Sequence, residues 1–429
     1  MGGYLAYPEY KESGVEWLGK IPAHWESKRL RFLVLTNPSK NEIRLEENES
    51  VSFIPMEAVG EYGGLDLETE KALAEISGGY TYFAEGDVVL AKITPCFENG
   101  KSAVAQNLTN KVAFGTTELH VLRANDSLDN FFLFYLTISQ VFRKLGEAEM
   151  YGAGGQKRVP ESFIRDFCPG IPPLKEQQQI ATFLDYKTAQ IDALIAKKEA
   201  LLEKLAEKRT ALISQAVTKG LDPTVPMKDS GIEWLGEIPA HWEILQIKRA
   251  FVLQRGVDIT KAEQVDGEVP VVSSGGVFSY HDVAYAKAPG VVVGRKGSLG
   301  TVHYILQDYW PHDTTLWVID FFGNHSRYVY YKLLSMNLES WDTGSANPTL
   351  NRNLIHPLKT SWPPFKEQIQ ISEKLDEITD EMEQQSRKID LAISKLQEYR
   401  AALITNAVTG KIDVRDIKLP NPTPAEANP

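Results

Sequence analysis

"EWLGKIPAHWE" spans Glu16–Glu26 and "EWLGEIPAHWE" spans Glu233–Glu243, with one difference between them. Self-similarity of this kind is read first, because an overlooked repeat misassigns the whole fold. The match extends back to "KESGVEWLGKIPAHWE" from Lys11 and "KDSGIEWLGEIPAHWE" from Lys228, every position displaced by 217. Downstream, "PPLKEQQQI" (Pro172–Ile180) returns as "PPFKEQIQI" (Pro363–Ile371), at an offset of 191. "RTALISQAVTKGLD" (Arg209–Asp222) returns as "RAALITNAVTGKID" (Arg400–Asp413) at the same offset. Each half is thus a short shared motif, a divergent region and a shared long helix. The divergent region is longer in the first half, by the difference between the two offsets.

The helices carry the strongest periodicity. A step of seven runs through Leu375, Met382, Ile389, Leu396 and Leu403, and through Leu184, Ile191, Lys198, Leu205 and Leu212. Companions three or four positions on include Leu194, Leu201, Ile378, Ile393 and Tyr399. This spacing predicts a coiled-coil seam. A Pro-Pro pair sets a sharp entry to each helix, and about 45 residues make a rod of roughly 65–70 Å. Such a helix can simply cover a sheet, but one domain has little use for two rods. An intrachain antiparallel pair acting as a spacer is expected.

The divergent regions read as short strands punctuated by Gly and Pro, "GDVVLAKITPCFENGKSAVA" and "GVVVGRKGSLGTVHYI". Each continues into a Thr-Thr pair, "FGTTELHVL" and "HDTTLWVI", then an aromatic-rich helix, then a Gly/polar loop, "YGAGGQKRVP" and "DTGSANPTLN". The expected fold is α+β: two similar α+β domains separated by a long antiparallel two-helix coiled coil, with a pseudo-two-fold internal repeat. The boundaries follow: 1–26 shared motif, 27–171 first divergent domain, 172–221 first long helix, 222–243 linker and second motif copy. The second divergent domain is 244–362, the second long helix 363–411, and 412–429 is a Pro-rich tail expected to be disordered.

Composition bounds the function. Hydrophobic content of 43% and charged content of 24% suit a globular protein. The longest apolar run, "FFLFYL" (Phe131–Leu136), is far short of a membrane span, and no charged-then-apolar leader opens the chain. A cytoplasmic location without membrane contact is expected. Cys96 and Cys168 lack metal-ligand spacing. The net charge of −11 weighs against nucleic acid as a partner. It is unevenly spread, however: residues 244–361 hold 11 Lys+Arg against 10 Asp+Glu, while 365–409 hold 6 against 9.

No catalytic set stands out. "PCFENGKS" (Pro95–Ser102) ends like a phosphate-binding loop but has Pro95 where the first glycine belongs. "SWPPF" (Ser361–Phe365) resembles an amino-methyltransferase motif but has Trp362 at the required polar position. "VGRKGSLG" (Val293–Gly300) lacks dinucleotide spacing. His24 and His241 have no neighbour at ligand spacing, so packing or docking is their expected role. Neither an enzyme nor a metal site is expected; the symmetric layout points to recognition.

The motifs "ESGVEWLGKIPAHWE", "IPPLKEQQQIATFLD" with "PPFKEQIQISEKLD", and "ALISQAVTKG" with "ALITNAVTGK" together resemble the DNA specificity subunits of Type I restriction–modification systems. The resemblance covers residues 11 to about 415. It implies two target recognition domains, each reading half of a split DNA sequence, with helices that set the gap. It implies docking of two adenine methyltransferase subunits and, through them, motor-nuclease subunits, which would hold S-adenosylmethionine, ATP and magnesium. The chain itself would bind double-stranded DNA, hold no cofactor and do no chemistry. The rival readings are a stand-alone DNA-binding regulator and a coiled-coil scaffold.

Side chains able to pair with base edges or phosphates on the variable loops are the candidate DNA contacts. In the first domain these are Lys92, Thr94, Lys101, Thr116, Thr117, Gln156, Lys157 and Arg158; in the second, Arg295, Lys296, Ser298, Thr314, Thr315, Ser345, Asn347 and Asn351. Gln156 and Asn347 are equivalent by the helix offset and suit adenine, whereas Arg158 or Arg295 suits guanine. Trp17, Trp25, Trp234 and Trp242 of the twin motif are expected to pack internally or to offer a patch to each partner.

Overall fold

A computed structural model describes residues 3–76, 78–153, 155–341 and 349–420. Its helices in chain order are α1 (Leu73–Ile76), α2 (Asn130–Ile138), α3 (Gln140–Ala148), α4 (Glu161–Asp166) and the long α5 (Leu174–Lys219). They continue with α6 (Ile247–Ala250), α7 (Ser326–Leu334), α8 (Arg352–Ile355) and the long α9 (Phe365–Val408). The chain forms two compact units, one built from residues up to Lys197 and from Ala392 onward, the other from Lys198–Leu391. Each unit therefore owns one α+β body and a piece of both long helices.

In the first unit an antiparallel sheet has the order Val34–Thr36, Leu119–Ala124, Val88–Ala91, Ser102–Val104. Val88–Ala91 is buried at every residue, which is why it reads as a continuous apolar run. A second sheet has the order Glu70–Ala72, Ser50–Ile54, Val112–Gly115, Thr81–Ala84, with one parallel pairing in its middle. The aromatic-rich segment forms two helices rather than the single one expected. Ser139 ends α2 in an extended conformation, and its side chain caps the first turn of α3.

The second unit repeats the first sheet strand for strand: Val252–Arg255, Thr315–Asp320, Gly290–Gly294, Val302–Ile305, all antiparallel. Its other sheet, Gly276–His281, Val269–Ser273, Trp310–Pro311, keeps the parallel pairing. The fourth strand shrinks to a single bridge between Ala286 and Tyr309. The extra length of the first divergent region lies partly here, where that unit completes a fourth strand and adds α1.

The long helices run antiparallel, as expected. In the first unit Asp192 is ion-paired with Arg400, and Ile191 and Ile195 share a core with Leu403 and Ile404. In the second, Ile213 and Val217 share a core with Ile371 and Leu375. Of the expected companions Ile393 packs against the first unit's core, whereas three others point outward. Leu194 and Leu201 are 43% and 46% exposed, and Tyr399 is 44% exposed. The inward companions lie at Ile195, Leu202 and Thr379, four positions on from Ile191, Lys198 and Leu375. Each helix closes on a left-handed glycine, Gly220 (φ +78°) and Gly410 (φ +71°). A Cβ on Gly410 would also lie 2.5 Å from Pro22, so this end admits little else.

The tail expectation is corrected for residues 412–420. Val414 is buried, and Ile412, Ile417 and Leu419 pack against the first unit's core. The prolines of the tail begin only at Pro420, and residues 412–419 carry an aliphatic side chain at every second or third position. Residues 421–429 lie outside the described residues.

Val217 near the end of α5 offers its carbonyl to Tyr328 Oη (3.1 Å) and to Lys332 Nζ (3.0 Å), and Lys332 is 2% exposed. Burial pulls the lysine down from 10.5 to about 7. Between those values the unfolded chain binds the proton and the folded chain does not. Stability therefore rises as pH goes from about 7 to 10.5 and is lost again as pH falls back through that window. Lys332→Met is expected to flatten that slope and to raise stability at pH 7 by about 1–3 kcal/mol, since it replaces a buried amine with an apolar chain. Unfolding of both proteins from about pH 7 to 10 checks this; parallel stability curves would contradict it.

Candidate nucleic-acid interface

One inner strand of the repeated antiparallel sheet runs, in both units, into a cation held by the same two backbone bonds. In the first unit Lys92 N donates to Glu118 O (2.9 Å), and Val159 N donates to Lys92 O (2.8 Å). In the second, Arg295 N donates to Thr314 O (2.8 Å), and Leu350 N donates to Arg295 O (2.9 Å). Val159 and Leu350 are related by the same offset as the long helices. The two sites are thus one scaffold position carrying different side chains.

This register corrects the pairing of the Thr-Thr segments. Glu118, not Thr116, is the counterpart of Thr314, so the two pairs do not coincide. Thr315 is fully buried with its hydroxyl on His312 O (2.7 Å), and Thr314 Oγ1 pairs with His312 Nδ1 (3.0 Å). Thr116 closes a turn by accepting from Glu118 N (3.2 Å), and Thr117 is exposed.

Around Lys92 the polar loop is a hairpin, Tyr151–Ala153 against Gln156–Arg158. Thr94 ties it down: its N donates to Lys157 O (3.0 Å), and its hydroxyl donates to Gly155 O (2.8 Å) and accepts from Lys157 N (3.0 Å). Gln156 and Lys157 are exposed on this hairpin. Arg158 is committed: its guanidinium forms a fork with Glu118 (2.8 and 2.9 Å), which holds the Glu118 carboxyl below its ordinary range. A guanine would have to compete with that carboxylate. Lys101 also turns inward, its ammonium donating to the carbonyls of Met56 (3.1 Å) and Val59 (2.8 Å). The structure thus brings Lys92, Thr94, Gln156, Lys157 and Arg158 together and leaves Lys101 apart.

In the second unit Lys296 and Ser298 are exposed on the turn after Arg295. Asn351 Oδ1 caps α8 by accepting from Asn353 N (2.9 Å). Ser345 and Asn347 lie outside the described residues. Two cations that periodicity does not mark stand beside Arg295: Arg255, at the end of strand Val252–Arg255, and Arg352, in α8. They come from segments far apart in sequence, and only the sheet register brings them together.

The twin motif acts as a latch. Trp25 and Trp242 are fully buried. Trp25 Nε1 donates to Glu176 Oε1 (3.0 Å), His24 Nε2 lies 2.7 Å from Glu176 Oε2, and Tyr7 Oη donates to Oε1 (2.8 Å). Trp242 Nε1 and His241 Nε2 meet Glu367 Oε2 in the same way, at 3.0 and 2.8 Å. Each glutamate sits in the first turn of a long helix, in the repeated "KEQ". The next residues, Gln177 and Gln368, bond back to Pro172 O (2.9 Å) and Pro363 O (3.0 Å). A further lock repeats: Tyr135 Oη donates to Asp185 (2.6 Å) and Tyr331 Oη to Asp376. The outer tryptophans differ. Trp17 stacks on Phe167 at 4.8 Å, whereas Trp234 is 61% exposed, and the counterpart of Phe167 at the helix offset is Leu358.

Two α+β bodies, each latched to a long helix and each with its own polar set at the same edge of its sheet, define a protein built as a two-fold structural repeat. The profile of the Type I restriction modification DNA specificity domain matches residues 23–204 and 239–391, once per repeat, and the chain belongs to that family. It is 40% identical over 163 residues, 38% of its length, to the Type I restriction enzyme EcoAI specificity subunit of Escherichia coli. That match spans 27% of the Escherichia coli protein. The putative Type I restriction enzyme MjaX specificity subunit of Methanocaldococcus jannaschii is 21% identical over 95% of this chain and 98% of its own. The fold is similar to the HsdS subunit of Thermoanaerobacter tengcongensis, with a TM-score of 0.53 at 15% identity over 94% of this chain and all of that one. It is also similar to a chain from a structure on complex assembly and conformational transition of the Type I R-M system, with a TM-score of 0.70 at 15% identity over 91% and 99%. No helix among the described residues is long and apolar enough to cross a membrane.

Proposed function

We propose that each α+β body reads one half of a split DNA target and that α5 and α9 set the gap between the halves. The chain does no chemistry in this reading. It directs two copies of an adenine methyltransferase, and through them motor-nuclease subunits, to the site from within the cytoplasm. S-adenosylmethionine, ATP and magnesium are held by those partners.

The observation that carries the reading is the shared edge position. Identical backbone bonds hold Lys92 and Arg295, while the side chains around them differ in charge and shape. A scaffold that keeps its backbone and varies its polar groups is what reading two different half-sites requires. Co-expression with the cognate methyltransferase and mapping of methylated adenines tests it. A motif in two parts with a constant gap is expected; one continuous motif would overturn the proposal.

A further inference from the structure

Arg255, Arg295 and Arg352 line one cavity of about 420 Å³ in the second unit, with Leu316, Leu350 and Asn351 on its wall. Among the described residues a single carboxylate is ion-paired with the three guanidiniums: Asp313, 2.7 Å from Arg255. Arg295 reaches the Asp313 carbonyl (3.4 Å) and Arg352 the Leu253 carbonyl (3.4 Å), both long contacts to neutral acceptors. Burial, and then the neighbouring Arg255, lower the Arg295 guanidinium from its ordinary range. Like charges gathered around a recess repel each other, and an anion entering it relieves that repulsion.

We propose that this cavity is a phosphate seat, clamping one backbone phosphate of the half-site read by the second unit. A guanine edge offers two acceptors side by side and is satisfied by one arginine fork. Three guanidiniums approaching from a strand end, a strand-to-turn junction and a short helix suit oxygens that point in several directions, as those of a phosphate do. In the first unit Glu118 holds Arg158 in a two-bond fork instead. The two readers are thus expected to divide their roles unequally, with the second unit supplying the stronger register contact.

The inference rests on the DNA-reading function proposed above, and its test separates the two. In the assembled complex with methyltransferase, Arg295→Gln and Arg352→Gln are each expected to weaken duplex binding about tenfold across all sequences. Each should reduce the slope of log affinity against log salt by part of the roughly 0.9 that one neutralised phosphate contributes, and the double variant by about 0.9. The methylated motif should stay unchanged, and Arg295→Lys should keep most of the slope. Duplexes carrying a neutral methylphosphonate linkage at successive positions locate the contact. Wild type is expected to lose affinity at one linkage in the half-site of the second unit, and the Gln variants to be indifferent there. Lost discrimination at a single base pair would show a base-reading arginine and overturn the seat. So would an unaltered affinity and slope in variants that melt like wild type. A wild-type complex that methylates no split motif would instead remove the underlying function.

Discussion

Glu176→Ala is expected to lower the unfolding free energy of the first unit by about 3–4 kcal/mol. Its side chain is 7% exposed and accepts from Tyr7, His24 and Trp25, the last fully buried. Removing it strands two buried donors, Tyr7 and Trp25, each costing about 1–3 kcal/mol where water cannot reach. His24, 38% exposed, can turn to solvent, and relief from burying a carboxylate offsets part of the sum. Glu367→Ala removes a carboxylate that is 25% exposed and serves two donors, His241 and Trp242. About 1–2 kcal/mol is expected there. Calorimetry of the two variants, with the two transitions fitted separately, decides it. Equal losses, or a larger loss at Glu367, would refute the latch as described. Glu176→Gln should recover part of the loss, because an amide oxygen in the place of Oε1 can still accept from Tyr7 and Trp25.

The latch also shows which parts of this molecule can be read from its letters. Its two halves, "PAHW" and "KEQ", are both visible as repeats, and the lack of ligand spacing around His24 and His241 directs attention to packing and docking. That the histidine and tryptophan converge on the glutamate is not visible, because the partners lie far apart in the chain and only the folded body joins them. The phase of the seam escapes for a simpler reason. Three positions and four both come close to completing a turn from Ile191, so Leu194 and Ile195 are equal candidates until the antiparallel neighbour selects Ile195. The Thr-Thr pairs are displaced for another reason: the matching letters stand two positions apart in register, and only the Lys92 and Arg295 bonds reveal it. Arg255 and Arg352 carry no periodic or motif signal at all. Their meaning is positional, and it depends on a strand end and a short helix meeting at Arg295.

A matched heptad inserted in both long helices is expected to widen the gap in the DNA target while leaving both half-sites intact. Suitable points lie between Lys197 and Lys198 and between Leu391 and Ala392, where the chain passes from one unit to the other. A heptad keeps the seam in phase and adds about 10 Å of helix. At about 3.4 Å per base pair this corresponds to roughly three further base pairs. Neither α+β body is altered, so the bases they read should not change. The latches at Glu176 and Glu367 lie in the first turns of α5 and α9, remote in sequence from the insertion, and both bodies should stay fixed to their helices. Insertion in one helix alone leaves its partner a heptad short, so that variant should lose stability before it gains a new gap. Mapping methylated adenines in cells carrying the methyltransferase and the doubly extended chain reads the result. Altered half-sites with the original gap would show that the helices do not measure the distance. An unchanged motif throughout would place the spacing in the partner subunits instead.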